Sequence, residues 1–462
     1  MAHGLLLAVW DLGARPLWTV AVLALAFAAW IWAVRRMTRG RAFVRGGAVL
    51  GVLLMAGMLR VVWLPLPPTL SDDILRYAWD GKVVHAGLNP YALAPEAEEL
   101  TPLRDERWQR MPHREIPTVY PPLALATFAA AGLAPAWVGP LWGIKILLTI
   151  ADLLGCLLLI RLAARLGLPR TRALLYAWNP LVCLEVAGMG HVDALMAALV
   201  VATVYFCVAS RKPALASLCA AGSVLAKIVP LAALPVWTHA LPQRRTVFVT
   251  VVLAALALGT LPVALGVGVP PGLLIYGVQW EFNGPIYEPL HRLIDATPAA
   301  DWIKSGLDRA KLTLAQDSAA HERWNRLYHY VYPEFLAKLL LLAGFGIFVL
   351  REMLRPPGRP EDPPVMLAAR TGRLFAAVLL AMATVYPWYL LTVLPWAALL
   401  RHRAWLLASA LQVLAYLPQH LEGLALFPWM WLAIWGPVFV LLCTDRWWPI
   451  RPVARAGEQA VS

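Results

Sequence analysis

GPLWGIKILLTIADLLGCLLLIRLAAR, Gly139 to Arg165, carries only Lys145 and Asp152 as charges before it ends on Arg161 and Arg165. A helix needs roughly 20 apolar residues to cross a bilayer, and this stretch is long enough and greasy enough to do so. The rest of the chain has the same character. Of 462 residues, 60% are hydrophobic and 15% charged, with mean hydropathy +0.64, beyond what a soluble globular chain carries. The fold class is therefore an all-α polytopic membrane protein, since only helices and closed barrels satisfy their backbone groups in lipid. Net charge is +13. A basic balance can signal nucleic acid, but here arginines fall in short clusters between apolar spans, so no nucleic-acid partner is expected. The five cysteines, Cys156, Cys183, Cys207, Cys219 and Cys443, lie inside apolar segments and read as small core residues. The opening MAHGLLLAVWDLGARP has neither a charged start nor a small-residue cleavage site, so no removable signal peptide is expected.

By the same length criterion the sequence predicts about thirteen transmembrane or broken helices, starting near residues 17, 46, 139, 173, 193, 214, 228, 247, 333, 374, 389, 404 and 426. Charge sorts the connections. One set, clustered at residues 35–45, 161–172, 211–212, 244–245, 351–403 and 445–458, holds 23 basic residues against five acids, a balance of +18. The remainder holds 17 basic and 22 acidic residues. The positive-inside rule makes the first set cytoplasmic. Residues 1–462 then form a single membrane domain with two structured outer loops, 67–136 and 267–332, facing the periplasm or cell exterior. The first loop contains helical patterns at 72–86 and 97–111 and the apolar VYPPLALATFAAAGLA (119–134), too short to span comfortably. The second contains WEFNGPIYEPLHRLI (280–294) and a charged run from Asp301 to Arg326.

Ionisable residues inside spans are costly and face a partner or a cavity. Arg60, Lys145, Asp152, Glu185, His191, Asp193 and Lys227 are such residues. Lys145 and Asp152, seven apart, share a helix face and are placed to pair. In WNPLVCLEVAGMGHVDAL (178–195), Asn179-Pro180, Gly188 and Gly190 break the helix, and the chain turns at His191 and Asp193. Lys227, followed by Pro230, sits at the next turn on the same outer side, where an isolated lysine would otherwise simply snorkel.

The polar stretch SDDILRYAWDGKVVHAGLNPY (71–91) joins them there. Ser71 is placed to cap a helix, and Asp72 and Asp73 occupy its first turn against the positive end of the dipole. Arg76 lies within one turn of both. These neighbours favour ionised carboxylates. Asn89-Pro90-Tyr91 is a turn in which Asn89 bonds its own backbone. A carboxylate that takes a proton from a hydroxyl, beside an amine that holds an anionic leaving group, is the equipment for sugar transfer from a lipid phosphate.

SDDILRYAWDGKVVHAGLNPY, TVYPPLA, WNPLVCLEVAGMGHVDAL, LAKIVPL, WEFNGPIY and VYPWYLLTVLPW, in that order over nearly the whole chain, resemble the bacterial multi-membrane mannosyltransferases of the GT-C superfamily. The resemblance implies a GT-C-like bundle and an inverting transfer, most often of mannose, from a polyprenyl-phosphate donor to a glycolipid or glycan acceptor outside the cytoplasm. It implies no cofactor and no required metal, although Asp72, Asp73 and Asp193 are the carboxylates that would gather a hard cation. The superfamily's catalytic acid is commonly an Asp followed four residues later by Tyr, which Asp73 and Tyr77 match and Asp72 does not. Asp73 is thus the expected base and Asp72 the second acid. Val192 stands where the family often has Asn, and Lys145 where it often has Arg.

Lys227 is the expected phosphate ligand, with His191 and Arg76 beside it. Tyr77, Glu185, Asp193, Trp280, Glu281, Asn283, Trp388, Tyr389 and His420 are the expected sugar and acceptor contacts, with Trp79, Tyr386 and Glu422 as further candidates. Most of the 22 tryptophans belong to interfacial belts. The protein is expected to act as a monomer in the cytoplasmic membrane. A transporter or lipid flippase, the competing class, would be expected to show related halves, and no internal repeat is evident.

Overall fold

The computed structural model describes residues 11–39, 47–210, 212–313, 333–354 and 364–445. All regular structure among the described residues is helical, apart from isolated bridges from Phe282 and Asn283 to Thr384. In chain order the principal helices are α1 (Pro16–Arg39), α2 (Gly47–Trp63), α3 (Asp73–His85), α4 (Pro122–Gly132), α5 (Gly139–Arg165), α6 (Asp193–Tyr205), α7 (Pro213–Ala226), α8 (Arg245–Val267), α9 (Pro271–Gln279), α10 (Tyr287–Asp295), α11 (Ala299–Thr313), α12 (Pro333–Leu354), α13 (Val365–Ala381) and α14 (Trp431–Thr444). Four stretches are long and apolar enough to cross a membrane: Pro16–Thr38, Gly139–Arg165, Arg245–Val267 and Leu426–Thr444. Other predicted segments are shorter or broken helices, as at 170–189, 229–239 and 387–400. Proline at the first turn of Pro180–Cys183, Val229–Ala233 and Pro387–Thr392 suits a helix start, and it explains why these pieces restart instead of continuing.

The segments α5 to α8 pack each against the next. The outward faces of α2, α5 and α8 stay apolar: Leu50, Leu54, Leu154, Leu258 and Leu265 are all exposed large hydrophobics. A helix apolar on all sides is stable when its solvent is lipid. Ahead of α5, α3 lies on α4 and α4 on α5. Gly81 allows the first contact, since a Cβ there would stand 2.6 Å from the Phe128 carbonyl oxygen. The segment 119–134 thus becomes one short helix under α3. The pattern at 97–111 resolves into a 3-10 turn, Glu98–Leu103, and a short helix, Glu106–Arg110, capped by the Asp105 side chain. Asn89 Oδ1 accepts from the Tyr91 amide at 3.0 Å, the predicted turn. Of the charged run 301–326, residues from 314 onward lie outside the described residues.

The expected pair of Lys145 with Asp152 does not form. Lys145 donates to the carbonyls of Leu66 at 2.5 Å and Leu64 at 3.4 Å. Asp152 instead takes the fully buried Arg60 at 2.6 Å and the Tyr176 hydroxyl at 2.9 Å. Arg60 also donates to the carbonyls of Ala56 and Ala177. The guanidinium fork can reach several acceptors on different segments at once, which an ammonium two turns away on the same helix cannot match. Arg370 and Arg373, assigned to a cytoplasmic connection, lie on α13 and are buried against Glu352. Cys219 is half-buried and Cys443 exposed, so only Cys156, Cys183 and Cys207 are core residues. Asp152→Ala should lower stability by about 3 to 5 kcal/mol by stranding the buried arginine. Thermal unfolding checks this, and a wild-type midpoint would show that the pair ties nothing together.

Candidate active site

The site forms where four chain breaks meet. At the first, the segment after α2 turns into α3 with Asp72 in the N-cap position and Asp73 in the first turn. Ser71 does not cap as expected, because it precedes the cap residue; its Oγ accepts from the Asp73 amide at 3.3 Å. At the second, a single π turn, Leu184–Met189, ends on Gly190 in the left-handed region at φ 79°. Glycine is needed there, since the conformation disfavours a side chain and a Cβ would press on Ile74 at 2.8 Å. That bend carries His191 beneath Asp73, with Nδ1 3.7 Å from Oδ2, and starts α6 at Asp193. At the third, α7 stops at Lys227, whose backbone is extended. At the fourth, Tyr386-Pro387 opens the turn bearing Trp388 and Tyr389.

Around these ends lies a cavity of about 380 Å³. Asp72, Asp73, Arg76, Tyr77, Asp193, Lys227, Trp280, Tyr386, Trp388, Tyr389 and His420 line it. Lys227 Nζ makes a 2.6 Å ion pair with Asp193 and lies 3.9 Å over the Tyr389 ring. Tyr389 in turn shares a hydrogen bond with Tyr276. Lys227 is therefore held on two sides and keeps part of its surface toward the cavity, which replaces the snorkelling lysine with a fixed cation. Rings build one wall, Trp388 stacking on Tyr386 at 4.5 Å and on His191 at 3.8 Å. Trp280, against His113 at 4.4 Å and Tyr276 at 5.1 Å, closes another. Phe282 exchanges backbone hydrogen bonds with Ala383 and Val385, and this short pairing fixes the 280 segment relative to Tyr386.

Asp73 departs from expectation in its electrostatics. Burial pushes its pKa from the ordinary 3.8 up to about 6; Lys227 opposes the shift and the Asp193 and Asp72 charges add to it. Arg76 does not supply the expected relief. It turns to Asp80, at 2.8 Å, whose other oxygen accepts from Thr118 at 2.5 Å. The i, i+4 spacing of Arg76 and Asp80 on one helix was readable in the sequence; the burial that makes Asp80 the stronger partner was not. Asp72 is also raised, by burial first, with Arg110 and His420 pulling the other way.

Several predicted residues lie elsewhere. His191 is 1% exposed and sits behind Trp388, between Asp73 and Glu185 Oε2 at 3.3 Å. Glu185 is wholly buried and accepts from the Tyr416 hydroxyl at 2.5 Å. Asn283 is wholly buried too, bonded to Gln412 at 2.9 Å and to the Trp435 indole at 2.8 Å, where it braces the fold. Glu281 pairs with Lys338 at 2.7 Å. Trp79 faces the opposite side of α3, packed with Leu75, Val83 and Met111. The lining residues that sequence reasoning passed over, Tyr120, His113, Tyr276 and Gln419, sit in connections whose neighbours only the fold specifies. Among the described residues no group of three or more His, Cys, Asp or Glu is placed to hold a metal ion.

A family model described as alpha-(1->6)-mannopyranosyltransferase, N-terminal domain, matches residues 4–267, more than half of the chain. The chain belongs to the MptA_B family. No curated protein and no solved structure matches it. Membership agrees with the GT-C mannosyltransferase resemblance and makes the protein a glycosyltransferase acting on a sugar donor and an acceptor. The MptA_B match covers Asp72, Asp73, Arg76, Tyr77, Glu185, His191, Asp193 and Lys227; Trp280, Trp388, Tyr389 and His420 lie past its end.

Proposed function

We propose that the protein transfers mannose from a polyprenyl-phosphate donor to a hydroxyl of a glycolipid or glycan acceptor, on the outer side of the cytoplasmic membrane, with inversion at the anomeric carbon. The observation that carries the reading is one cavity shared by a carboxylate with a pKa raised to about 6 and a fixed ammonium, Asp73 and Lys227. Asp73 accepts the proton of the acceptor hydroxyl as its oxygen attacks C1 of the sugar. The bond from C1 to the phosphate oxygen breaks, and its electron pair leaves with the polyprenyl phosphate, whose charge Lys227 balances. A base titrating near the working pH is both free to accept and strong enough to pull. An α linkage, as the family description names, calls under inversion for a donor of the opposite anomeric configuration.

Asp72, with His420 near it, attends the acceptor, and Trp280, Trp388 and Tyr389 provide stacking faces for the sugar ring. Arg76, held by Asp80, is a secondary anion contact. His191 and Glu185 support Asp73 and the Trp388 wall from behind instead of touching phosphate. The reaction needs one base and no metal in this scheme, and the working unit is a monomer. The basic clusters of the sequence support an outward-facing cavity through the positive-inside rule.

Purified protein in nanodiscs, offered synthetic polyprenyl-phosphate mannose or a nucleotide-linked mannose with a mannoside acceptor, tests the donor. Transfer from the lipid phosphate alone, undiminished by EDTA, is the expected result. Equal transfer from the nucleotide sugar would sink the donor assignment, and loss in EDTA would sink the metal-free scheme.

A further inference from the structure

At the far end of α5 the surface has a different chemistry. Arg161 and Arg165 on α5, Arg170 on the turn that follows, and Tyr205 at the end of α6 converge on a groove of about 380 Å³. Leu157 and Ile160 form its apolar floor, and Val49 at the start of α2 closes one side. All three arginines are exposed, and none has an ion-pair partner among the described residues. The described carboxylates at this end are engaged elsewhere, Glu352 with Arg370 and Arg373, and Asp445 with Arg403. Counting along α5 from Lys145, which touches the segment leading to Asp73, Arg161 and Arg165 lie 16 and 20 residues on. At a rise of 1.5 Å per residue that is roughly 24 to 30 Å, about the thickness of a hydrocarbon core.

We propose that this groove binds the phosphodiester headgroup of an anionic glycerophospholipid in the leaflet opposite the catalytic cavity. Three guanidinium groups supply planar donors for phosphate oxygens, and the Tyr205 hydroxyl adds a neutral one. The apolar floor distinguishes a lipid from free phosphate. It runs into the outward faces of α2 and α5, where Leu50, Leu54 and Leu154 are exposed, so acyl chains leaving the groove lie on surface already suited to them. The inference does not rest on the sugar-transfer mechanism, because the site is a membrane thickness away from Asp73.

The test uses the full-length protein in phosphatidylcholine nanodiscs with increasing phosphatidylglycerol, reading retained lipid by native mass spectrometry and the lipid-dependent thermal shift. Wild type should retain phosphatidylglycerol over phosphatidylcholine. Arg161→Gln/Arg165→Gln/Arg170→Gln should weaken that preference by about fivefold per arginine, from the typical contribution of a basic residue near an anionic surface. Arg403→Gln, an exposed arginine at the same end already paired with Asp445, should leave it unchanged. Equal loss in Arg403→Gln, or no loss in the triple variant, overturns the site. A thermal shift with inorganic phosphate as large as that with phosphatidylglycerol overturns the lipid assignment. Should the triple variant fail to fold, Arg165→Gln alone, at the exposed rim, is read the same way: about a fivefold drop supports the site and none overturns it.

Discussion

If Asp73 is the base proposed above, Asp73→Asn should lower sugar transfer by a factor of about a hundred to ten thousand, the range of a lost general base, and leave the protein folded. The asparagine keeps the shape and the hydrogen-bonding edge but cannot take the acceptor proton. The stability effect has a definite sign. Asp73 is raised from 3.8 to about 6 in the folded protein, so the folded state holds that proton more tightly than the unfolded chain does. The ionised carboxylate therefore costs stability above pH about 6, and the cost disappears below the unfolded value near 3.8. At neutral pH the variant should melt no lower than wild type. For wild type, kcat/KM should fall as the pH drops through about 6, because the protonated acid cannot act as base. A variant with full transfer, or a flat profile between pH 5 and 7, would assign the base elsewhere. Asp72→Asn is the useful comparison, expected to raise the acceptor KM and to keep most of kcat.

Lys227→Ala should raise the donor KM by about ten- to a hundredfold, the cost of one charge-assisted hydrogen bond to phosphate. It also strands Asp193, buried at 1% exposure and bonded to Lys227 at 2.6 Å, so the single variant should lose about 3 kcal/mol of stability. The double variant Lys227→Ala/Asp193→Asn separates the two effects. It removes the buried charge along with its partner, and most of the lost stability should return while the donor KM stays high. If donor use recovers together with the melting temperature, Lys227 braces the fold and does not bind phosphate.

The two variants probe different degrees of legibility. The pair Asp72 and Asp73 stands out in the linear chain, because acids opening a helix directly after an apolar segment are a local pattern; it is the resemblance to the GT-C mannosyltransferases, through the spacing to Tyr77, that favours Asp73 over Asp72. Lys227 could be placed at a helix end by the proline that follows it, and the helix does stop there. Its partner could not be found that way: Asp193 lies 34 residues earlier, and the two meet only because α6 and α7 pack side by side. The same holds for Arg60 and Asp152, 92 residues apart. Asn283 and Glu281 sit away from the cavity lining for a complementary reason. A polar residue in a long connection reads the same whether it faces a cavity or, like Asn283, braces a buried Trp435.

Sequence alone determined the solvent and the segmentation of this protein. Transfer of apolar side chains into lipid is a sum over consecutive residues, and prolines and glycines interrupt helices where they stand. It also determined the local helix start that carries Asp72 and Asp73, for capping and helix spacing act within a turn. Tertiary structure decided which charges pair, which aromatics face the cavity, and that Asp73 is raised instead of lowered. Those properties depend on burial and on distances between residues far apart in the chain, and a carboxylate's proton affinity follows the enclosure around it more than the residues beside it in sequence.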